Sequence, residues 1–301
     1  MLKTAKKVPP VIKWSGSKRN VASEIGKFIP LAKRYFEPFV GGGALLPFRK
    51  IQNGTAGDII PELIALWNAI KLNPEKTANE YKKRWDILQK NGYAVYYDIR
   101  NSFNTTKNEY DFLFLTRTCV NGLIRYNEKG EFNNSFHITR PGIRPDTLSN
   151  IISQWHFIIK NVNFFNCDYR ELIETAGKDD FFFLDPPYAG TKGRYTKEKF
   201  DTHEFYMQLD KLNTAGAKWI LTFDGNAGCR TYSYEVPREI YIYKETITTG
   251  LSPFTKMMNT GIDVVEESVY FNFNPEIPLT AKSRNQINEK QALFSGFDMQ
   301  C

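Results

Sequence analysis

The sequence has little cysteine and no long apolar run. Its 301 residues include four scattered cysteines without a Cys-x-x-Cys pair, and its three histidines are far apart. This distribution argues against a metal site or a disulfide framework and favours a reducing compartment. No stretch of 18 apolar residues occurs, and the N-terminus lacks the apolar core of a signal peptide. We therefore expect a cytoplasmic protein without a membrane partner.

Positive charge is distributed unevenly along the chain. The net charge is +7, yet residues 151–301 carry sixteen Lys and Arg against twenty acids. The excess lies in residues 1–34, with nine basic residues against one acid, and in residues 71–150, with thirteen against nine. Two basic regions on an otherwise acidic chain indicate surfaces that meet a polyanion. A solvated terminus is the better interpretation of the first seven residues.

The most informative segment is Phe181-Phe182-Phe183-Leu184-Asp185-Pro186-Pro187-Tyr188. Four apolar residues predict a strand buried on both faces, and the two prolines remove backbone donors where the chain leaves the sheet. The carboxylate, the free carbonyls and the tyrosine ring suit a planar heterocycle with an exocyclic amine. Acceptors that hold the amine hydrogens out of the ring plane return lone-pair density to the nitrogen, so no nucleophilic side chain is needed. Taken alone, a strand ending in a proline-rich turn explains these residues as well.

Strands and helices alternate along most of the chain. Residues 32–40 predict a strand, Gly41-Gly42-Gly43 a turn that lets the backbone approach a ligand, and residues 44–50 a helix. A second strand ends at Asp58, and Pro61 begins a helix that runs to Lys71. Further strands are predicted at 162–165, 181–184, 219–223, 239–243 and 269–273, and further helices at 169–176 and 202–215. This order predicts an α/β fold with a mostly parallel sheet flanked by helices.

Four acids follow predicted strands and should lie at one edge of this sheet: Glu37, Asp58, Asp168 and Asp185. Ligands bind at the carboxyl ends of parallel strands. Asp58 lies near the place where an acid binds ribose hydroxyls, although no Gly-x-Gly-x-x-Gly pattern precedes it. Capping of the following helix is an alternative role for both Asp58 and Asp168.

Residues 72–150 interrupt the alternation. They predict helices at 74–91 and 109–119 and a hairpin at 122–136. A basic insertion of this kind is a natural target-reading module, in which Arg125 and Lys129 could enter a groove or contact phosphate. A lid or an oligomer contact is the alternative. We predict one discontinuous domain, residues 1–71 and 151–301, with residues 72–150 inserted as a second domain.

Five motifs in order, over roughly residues 11–225, and one hairpin resemble the Dam-type, D12-class DNA adenine-N6 methyltransferases. The five are Lys13-Trp14-Ser15-Gly16-Ser17-Lys18, Phe36-Glu37-Pro38-Phe39-Val40-Gly41-Gly42-Gly43-Ala44, Gly57-Asp58-Ile59, Cys167-Asp168-Tyr169 and Asp185-Pro186-Pro187-Tyr188. The segment Asn121-Gly122-Leu123-Ile124-Arg125-Tyr126-Asn127, followed by Gly130-Glu131-Phe132-Asn133, is similar to the family's recognition hairpin. The resemblance implies a Rossmann-like, seven-stranded methyltransferase sheet.

The resemblance also implies S-adenosylmethionine as the cofactor. Lys18 would lie near its methionine carboxylate, Asp58 would accept from both ribose hydroxyls, and Asp168 or its backbone neighbours would meet the adenine. The implied cofactor residues are Trp14, Lys18, Glu37, Phe39, Gly41, Gly43, Asp58, Ile59, Asp168 and Asp185.

For the reaction, the resemblance implies double-stranded DNA as the substrate, with no obligatory protein partner. The catalytic tetrapeptide would be Asp185, Pro186, Pro187 and Tyr188: Asp185 and the Pro186 carbonyl hold the target N6, and Tyr188 stacks on the base. The base must be extruded because a paired N6 cannot be reached in line by the methyl group. The implied DNA-binding residues are Asn121, Leu123, Arg125, Asn127, Lys129 and Arg140.

Several alternatives remain at this point. Asn133-Asn134-Ser135-Phe136-His137 stands where many GATC-methylating relatives have Asn-Val-Pro-Phe-Gly, so the target sequence stays open. A restriction-linked, a solitary and a phage enzyme fit equally. Cytosine-C5 methylation needs a cysteine, usually after proline, and no Pro-Cys pair occurs. Cytosine-N4 enzymes commonly carry serine where this chain has Asp185, and the hairpin favours DNA over RNA or a protein amide.

Overall fold

The computed structural model describes residues 8–140, 142–187, 200–227, 230–232, 236–251 and 264–275. Tyr188, the last residue of the predicted catalytic tetrapeptide, lies outside these ranges. The strands are β1 (Tyr35–Glu37), β2 (Gly54–Asp58), β3 (Val162–Asn166), β4 (Phe181–Leu184), β5 (Lys218–Ala227), β6 (Arg230–Tyr232), β7 (Tyr243–Leu251) and β8 (Val264–Phe271). The helices are α1 (Ala22–Ile25), α2 (Pro61–Leu72), α3 (Pro74–Asn91), α4 (Ala94–Thr106), α5 (Glu109–Thr118), α6 (Pro145–Ile159), α7 (Tyr169–Ile173) and α8 (Thr202–Thr214).

The strands form one mostly parallel sheet. A path of seven strands runs in the order β3-β2-β1-β4-β5-β8-β7, and the short β6 pairs with β5 beside this path. The pairs from β3 to β5 are parallel, whereas β8 is antiparallel to both β5 and β7. The chain reverses its direction across the sheet between β1 and β4. The predicted α/β fold is confirmed, and the reversal creates the crevice in which such sheets bind ligands.

Strand β4 is the central strand of this path, and every one of its residues is apolar and buried. Phe181 and Phe183 belong to a core shared with α2–α6, and Phe182 and Leu184 belong to a second core shared with α7 and α8. Alternate residues of a strand point to opposite faces, so one short segment serves both layers. The ring of Phe182 stacks on Phe36 of β1 at 4.4 Å between centroids.

Two predicted elements were wrong, and two were too long: strand β1, and helix α7, which ends at Ile173 where the prediction continued to residue 176. The helix expected over residues 44–50 is a single 3-10 turn, Leu46–Phe48. Pro47 has no backbone N–H to donate, and Gly43, just before the predicted helix, has a non-helical φ of +63°. The strand expected over 239–243 is largely a turn, and β7 begins only at Tyr243. Strand β1 is limited to three residues, since Pro38 follows it.

The inserted region contains more helix than its sequence predicted. Helix α4 was not predicted, and neither was α6, which crosses position 150 and packs against α3. The hairpin is irregular: two isolated antiparallel bridges, Cys119–Phe136 and Tyr126–Phe132, take the place of continuous strands. The division of the chain into two domains stays a prediction. Among the described helices, none is long and apolar enough to span a bilayer.

Candidate active site

Asp185 follows β4 directly, at the carboxyl end of the strand. Its Oδ1 accepts a hydrogen bond from the buried Thr222 hydroxyl of β5 at 2.9 Å, and it lies 3.0 Å from Lys18 Nζ. The carboxylate side chain is 19% exposed. Pro186 is buried and Pro187 exposed, so the proline pair carries the chain outward from the sheet. The tetrapeptide therefore presents one fixed, partly accessible carboxylate.

Lys18 shares its ammonium between two acids. Only 4% of this side chain is exposed, and its Nζ lies 2.9 Å from Glu267 Oε1 as well as 3.0 Å from Asp185. Glu267 belongs to β8 and was not predicted as a site residue. No local pattern marks it, because its contact with the site depends on the antiparallel pairing of β8 with β5. Thr222, in contrast, is the one polar residue in the apolar segment 219–223 of β5, and that signal was available.

Glu37 ends β1 beside this cluster. It is 2% exposed and accepts a hydrogen bond from the Tyr35 hydroxyl. Burial raises the pKa of Glu37 to about 8, against the lowering effect of the Tyr35 hydrogen bond and with a further increase from the charge of Asp185. At neutral pH this carboxyl is therefore mostly protonated. Burial raises the pKa of Asp185 as well, and Glu267 adds to that increase, while Lys18 and the Thr222 hydrogen bond oppose it.

The glycine loop forms a close cradle with Trp14. Gly41 and Gly43 have φ values of +43° and +63°. A Cβ on Gly41 would lie 2.6 Å from the Trp14 indole nitrogen, and one on Gly43 would lie 3.1–3.3 Å from Leu46, Trp67 and Trp155. Neither position tolerates a side chain, because the φ values are positive and the protein's own side chains fill the space that a Cβ would need.

Asp58 ends β2 next to this loop. Its two carboxylate oxygens accept from the backbone N–H groups of Gly41, at 3.1 Å, and Ile60, at 3.2 Å. Burial raises the pKa of Asp58 to about 6, the hydrogen bonds from the backbone lower it, and Glu62 raises it. The side chain is half-buried and Ile59 is 47% exposed. The structure thus places an oriented acceptor at the crevice, where one for a ribose diol was predicted.

Asp168 follows β3 and caps α7. Its side chain accepts from the Arg170 N–H in a capping box with Glu171, and it binds the Arg170 guanidinium at 2.7 and 3.1 Å. Burial, the largest effect, raises the pKa of Asp168, but the Arg170 hydrogen bonds outweigh it and leave the pKa lowered. The alternative role as a helix cap is therefore present. Phe39 of the predicted cofactor set stacks on Tyr169 at 5.0 Å.

The four predicted acids stand on four adjacent strands. In the sheet order β3-β2-β1-β4, they are Asp168, Asp58, Glu37 and Asp185, each at or just beyond the carboxyl end of its strand. The first motif contacts both the sheet and the inserted region. On the sheet side, Trp14 packs against the glycine loop and Lys18 Nζ lies 3.0 Å from Asp185. The Lys13 side chain lies against Gly122, where a Cβ would come within 2.3 Å of it.

The hairpin presents its predicted DNA-binding residues on the outside. Asn121, Leu123 and Arg125 are exposed, while Gly122 and Ile124 between them are buried. Arg125 Nε donates to Asn133 Oδ1 at 3.2 Å. Lys129 and Arg140 are also exposed. Asn127 is placed differently: its side-chain oxygen accepts from the backbone N–H groups of Lys129 and Glu131, so its carboxamide shapes the turn.

Helix α4 holds the returning arm of the hairpin. The Asn104 carboxamide donates to the Phe132 carbonyl at 3.1 Å and accepts from the Phe132 N–H at 2.7 Å. One helical turn earlier on the same face, Arg100 donates to the Asn134 carbonyl, as does Tyr96 one turn before that. On the other side, the Tyr126 hydroxyl donates to Glu62 of α2 at 2.5 Å.

The fold and the site define a class. A doubly wound, mostly parallel sheet with acids converging on a glycine turn at its switch point is the architecture of α/β proteins that bind nucleotide-type cofactors. The family model described as D12 class N6 adenine-specific DNA methyltransferase matches residues 14–246. The chain belongs to this family of adenine-specific DNA methyltransferases, which confirms the resemblance found in the sequence.

Proteins from an archaeon, a bacterium and a phage are similar to the chain. The Type II methyltransferase M.MjaIII of Methanocaldococcus jannaschii is 31% identical over 251 residues, covering 71% of this chain and 84% of that protein. A DNA adenine methylase of Vibrio cholerae is 32% identical over 188 residues, covering 61% and 66%. The DNA N-6-adenine-methyltransferase of Escherichia phage P1 is 29% identical over 240 residues, covering 73% and 30%.

Proposed function

We propose that this protein transfers a methyl group from S-adenosylmethionine to N6 of a flipped adenine in double-stranded DNA. The observation that carries the proposal is the Asp185 carboxylate, fixed by Thr222 and Lys18 where the sheet reverses direction. This is a fixed, partly buried acceptor that a planar amine could approach. Family membership supplies the substrate class.

The residues of the crevice fit the proposed cofactor. Gly41 packs closely against Trp14, and the half-buried Asp58 carboxylate is oriented by the N–H groups of Gly41 and Ile60. Trp14, Gly41, Asp58 and Ile59 would hold the methionine and ribose parts. The backbone around Asp168 would meet the adenine, because its side chain is engaged by Arg170. When bound, S-adenosylmethionine supplies an electrophilic methyl group.

Asp185 and the Pro186 carbonyl would act on the target amine as acceptors. Two hydrogen bonds to N6 restrain its hydrogens and favour a pyramidal nitrogen with an available lone pair. Asp185 can then take the proton that N6 loses after transfer. The target base must leave the duplex for this geometry, at a cost of a few kcal/mol. The proposed stacking on Tyr188 rests on the sequence alone.

The hairpin would read the target. Asn121, Leu123 and Arg125 share its exposed face, and an arginine can bind guanine O6 and N7 in the major groove. Lys129 and Arg140 would contact phosphates, where they add affinity but no sequence preference. The insertion 72–150 would thus act as the recognition domain for the sheet domain.

The test is methylation of plasmid DNA by the purified full chain with labelled cofactor, followed by mapping of modified bases with single-molecule sequencing. We expect N6-methyladenine at one short recurring sequence. Label in N4-methylcytosine, in RNA or in a protein amide would contradict the proposal. The Asp185→Ala variant, prepared in parallel, controls for a contaminating methyltransferase.

A further inference from the structure

We propose that Glu267 is a positioning residue for methyl transfer: it shares the Lys18 ammonium with Asp185, so that Asp185 remains a strong acceptor for the target amine. This inference rests on the proposed function of the crevice. Glu267 would act through Lys18, not by touching the substrate.

The distances show a shared cation. Lys18 Nζ lies 2.9 Å from Glu267 and 3.0 Å from Asp185, and 3.5 Å from the Gly16 carbonyl. An ammonium has three donors in a compact point charge. Since the Lys18 side chain is only 4% exposed, water cannot readily replace either carboxylate. A change at one acid must therefore be felt at the other.

Glu267 is held more firmly than a loop residue would be. Strand β8 lies between two neighbours, and Glu267 is in register with Gly225 of β5 and Ile247 of β7. Lys18 comes from the 3-10 turn Lys18–Asn20, and Asp185 follows β4. Three elements from distant parts of the chain thus converge on one ion-pair cluster. A rigid support of this kind is what a precise acceptor position requires.

The charges around Asp185 give the direction of the effect. Within the described part of the chain, the groups that act on it are Lys18, Glu267 of β8, the neutral hydroxyl of Thr222 on β5, and Glu37 of β1. Burial raises the pKa of Asp185, Lys18 lowers it and Glu267 raises it. Without the Glu267 charge, the Lys18 ammonium would interact more strongly with Asp185. The pKa of Asp185 would fall, and its carboxylate would accept hydrogen bonds from the amine more weakly.

The kinetic test compares Glu267→Gln with Glu245→Gln. Glu245 lies on the neighbouring β7, where it accepts from the Tyr243 hydroxyl at 2.7 Å, so this control removes the same charge from the adjacent strand. We expect kcat to fall about tenfold in Glu267→Gln, with cofactor and DNA dissociation constants within about threefold of wild type. Glu267→Asp keeps the charge and should recover part of the loss.

The second readout needs no activity. In the ligand-free protein, the carboxyl carbon of Asp185 is followed by NMR against pH. Its midpoint should move to lower pH in Glu267→Gln and stay in place in Glu245→Gln. An unmoved midpoint, a kcat equal to that of Glu245→Gln, or a joint loss of cofactor binding and thermal stability would overturn the proposal. If wild-type protein formed no N6-methyladenine, the proposed function would fail first, and the NMR result would still report on the charge coupling.

Discussion

The crevice and the hairpin hold their polar side chains in opposite ways. At the crevice, Glu37 and Lys18 are 2% and 4% exposed; a parallel strand positions Glu37, and a 3-10 turn positions Lys18. On the hairpin, Arg125 and Lys129 are exposed, and two isolated bridges replace a ladder. Fixed, desolvated acceptors suit chemistry, because they need no reorganisation during the reaction. Exposed cations suit a partner that arrives from water and displaces counterions.

This comparison predicts which property a substitution in each region would change. A change at the crevice alters charges that have no alternative solvation, so its effects should be large and confined to cofactor binding or turnover. A change on the hairpin alters contacts that solvent can replace, so its effects should be smaller and appear in target choice. A crevice variant that changed target choice, or a hairpin variant that changed cofactor binding, would contradict this comparison.

The largest effect is expected from Asp185→Ala. The substitution removes the acceptor at the target amine and should lower single-turnover methyl transfer by at least about a hundredfold. DNA affinity, measured by fluorescence anisotropy, should stay near the wild-type value. Asp185→Asn keeps an acceptor oxygen without the charge and should retain more activity than the alanine variant. Full activity in Asp185→Ala would remove this residue from the chemistry.

The next effect belongs to Asp58→Ala. Loss of a charge-assisted acceptor should weaken cofactor binding more than tenfold, a loss of about 1.5–3 kcal/mol. Isothermal calorimetry with the cofactor and no DNA measures it directly. Glu62→Gln, which removes a neighbouring charge but not the acceptor, is the matched control and should bind at least as tightly as wild type. Equal affinity in wild type and Asp58→Ala would exclude Asp58 from the cofactor site.

Arg125→Ala tests the other side of the comparison. We expect discrimination at one guanine position to relax by about 1–3 kcal/mol, with unchanged cofactor affinity. Methylation of a randomised oligonucleotide pool, read by sequencing, gives the preference at each position. A uniform loss of binding across all sequences would make Arg125 a phosphate contact. Lys129→Ala, a predicted phosphate contact, should show that uniform pattern.

Cofactor binding should weaken in mild acid. The pKa of Asp58 is raised to about 6, so the carboxylate is mostly ionised at pH 7.5 and mostly protonated at pH 5.5. A protonated carboxyl accepts less well from a diol, and affinity should fall about fourfold between these two values. Calorimetry at both pH values checks this. In Asp58→Asn the decline should be absent, and an unchanged decline there would assign it to another group.

The crevice could be predicted from sequence because its determinants are local. Four apolar residues before two prolines specify β4, and a proline at the start specifies α2 and α3. Parallel strand ends then bring their acids to one edge without knowledge of side-chain contacts. Glu267 was missed because its ion pair with Lys18 joins residues far apart in the chain. Glu267 also follows another acid, Glu266, and two consecutive acids do not by themselves mark a site.

The support of the hairpin could not be predicted for a different reason. Helix α4 contains Asn, Ser, Thr and β-branched residues, which have low helix propensity. Its stability comes from burial of Val95, Tyr96 and Phe103 against other parts of the fold. For α6 the signal was present, since Pro145 occupies its first turn. The helix predicted over residues 44–50 failed because Pro47 outweighs the leucines around it.

A substitution in helix α4 is expected to have the smallest effect, and it tests most sharply whether the crevice and the hairpin act separately. Asn104→Ala removes the side-chain donor to the Phe132 carbonyl and the side-chain acceptor for the Phe132 N–H. The ring of Phe132 is buried. The local cost is about 1–2 kcal/mol, because two backbone groups lose their partner. Hydrogen exchange at the Phe132 amide should accelerate, and target preference should blur by a few-fold, while cofactor affinity stays constant. Asn101→Ala, an exposed position on the same helix, is the control. Equal loss of cofactor affinity would show that crevice and hairpin do not act separately.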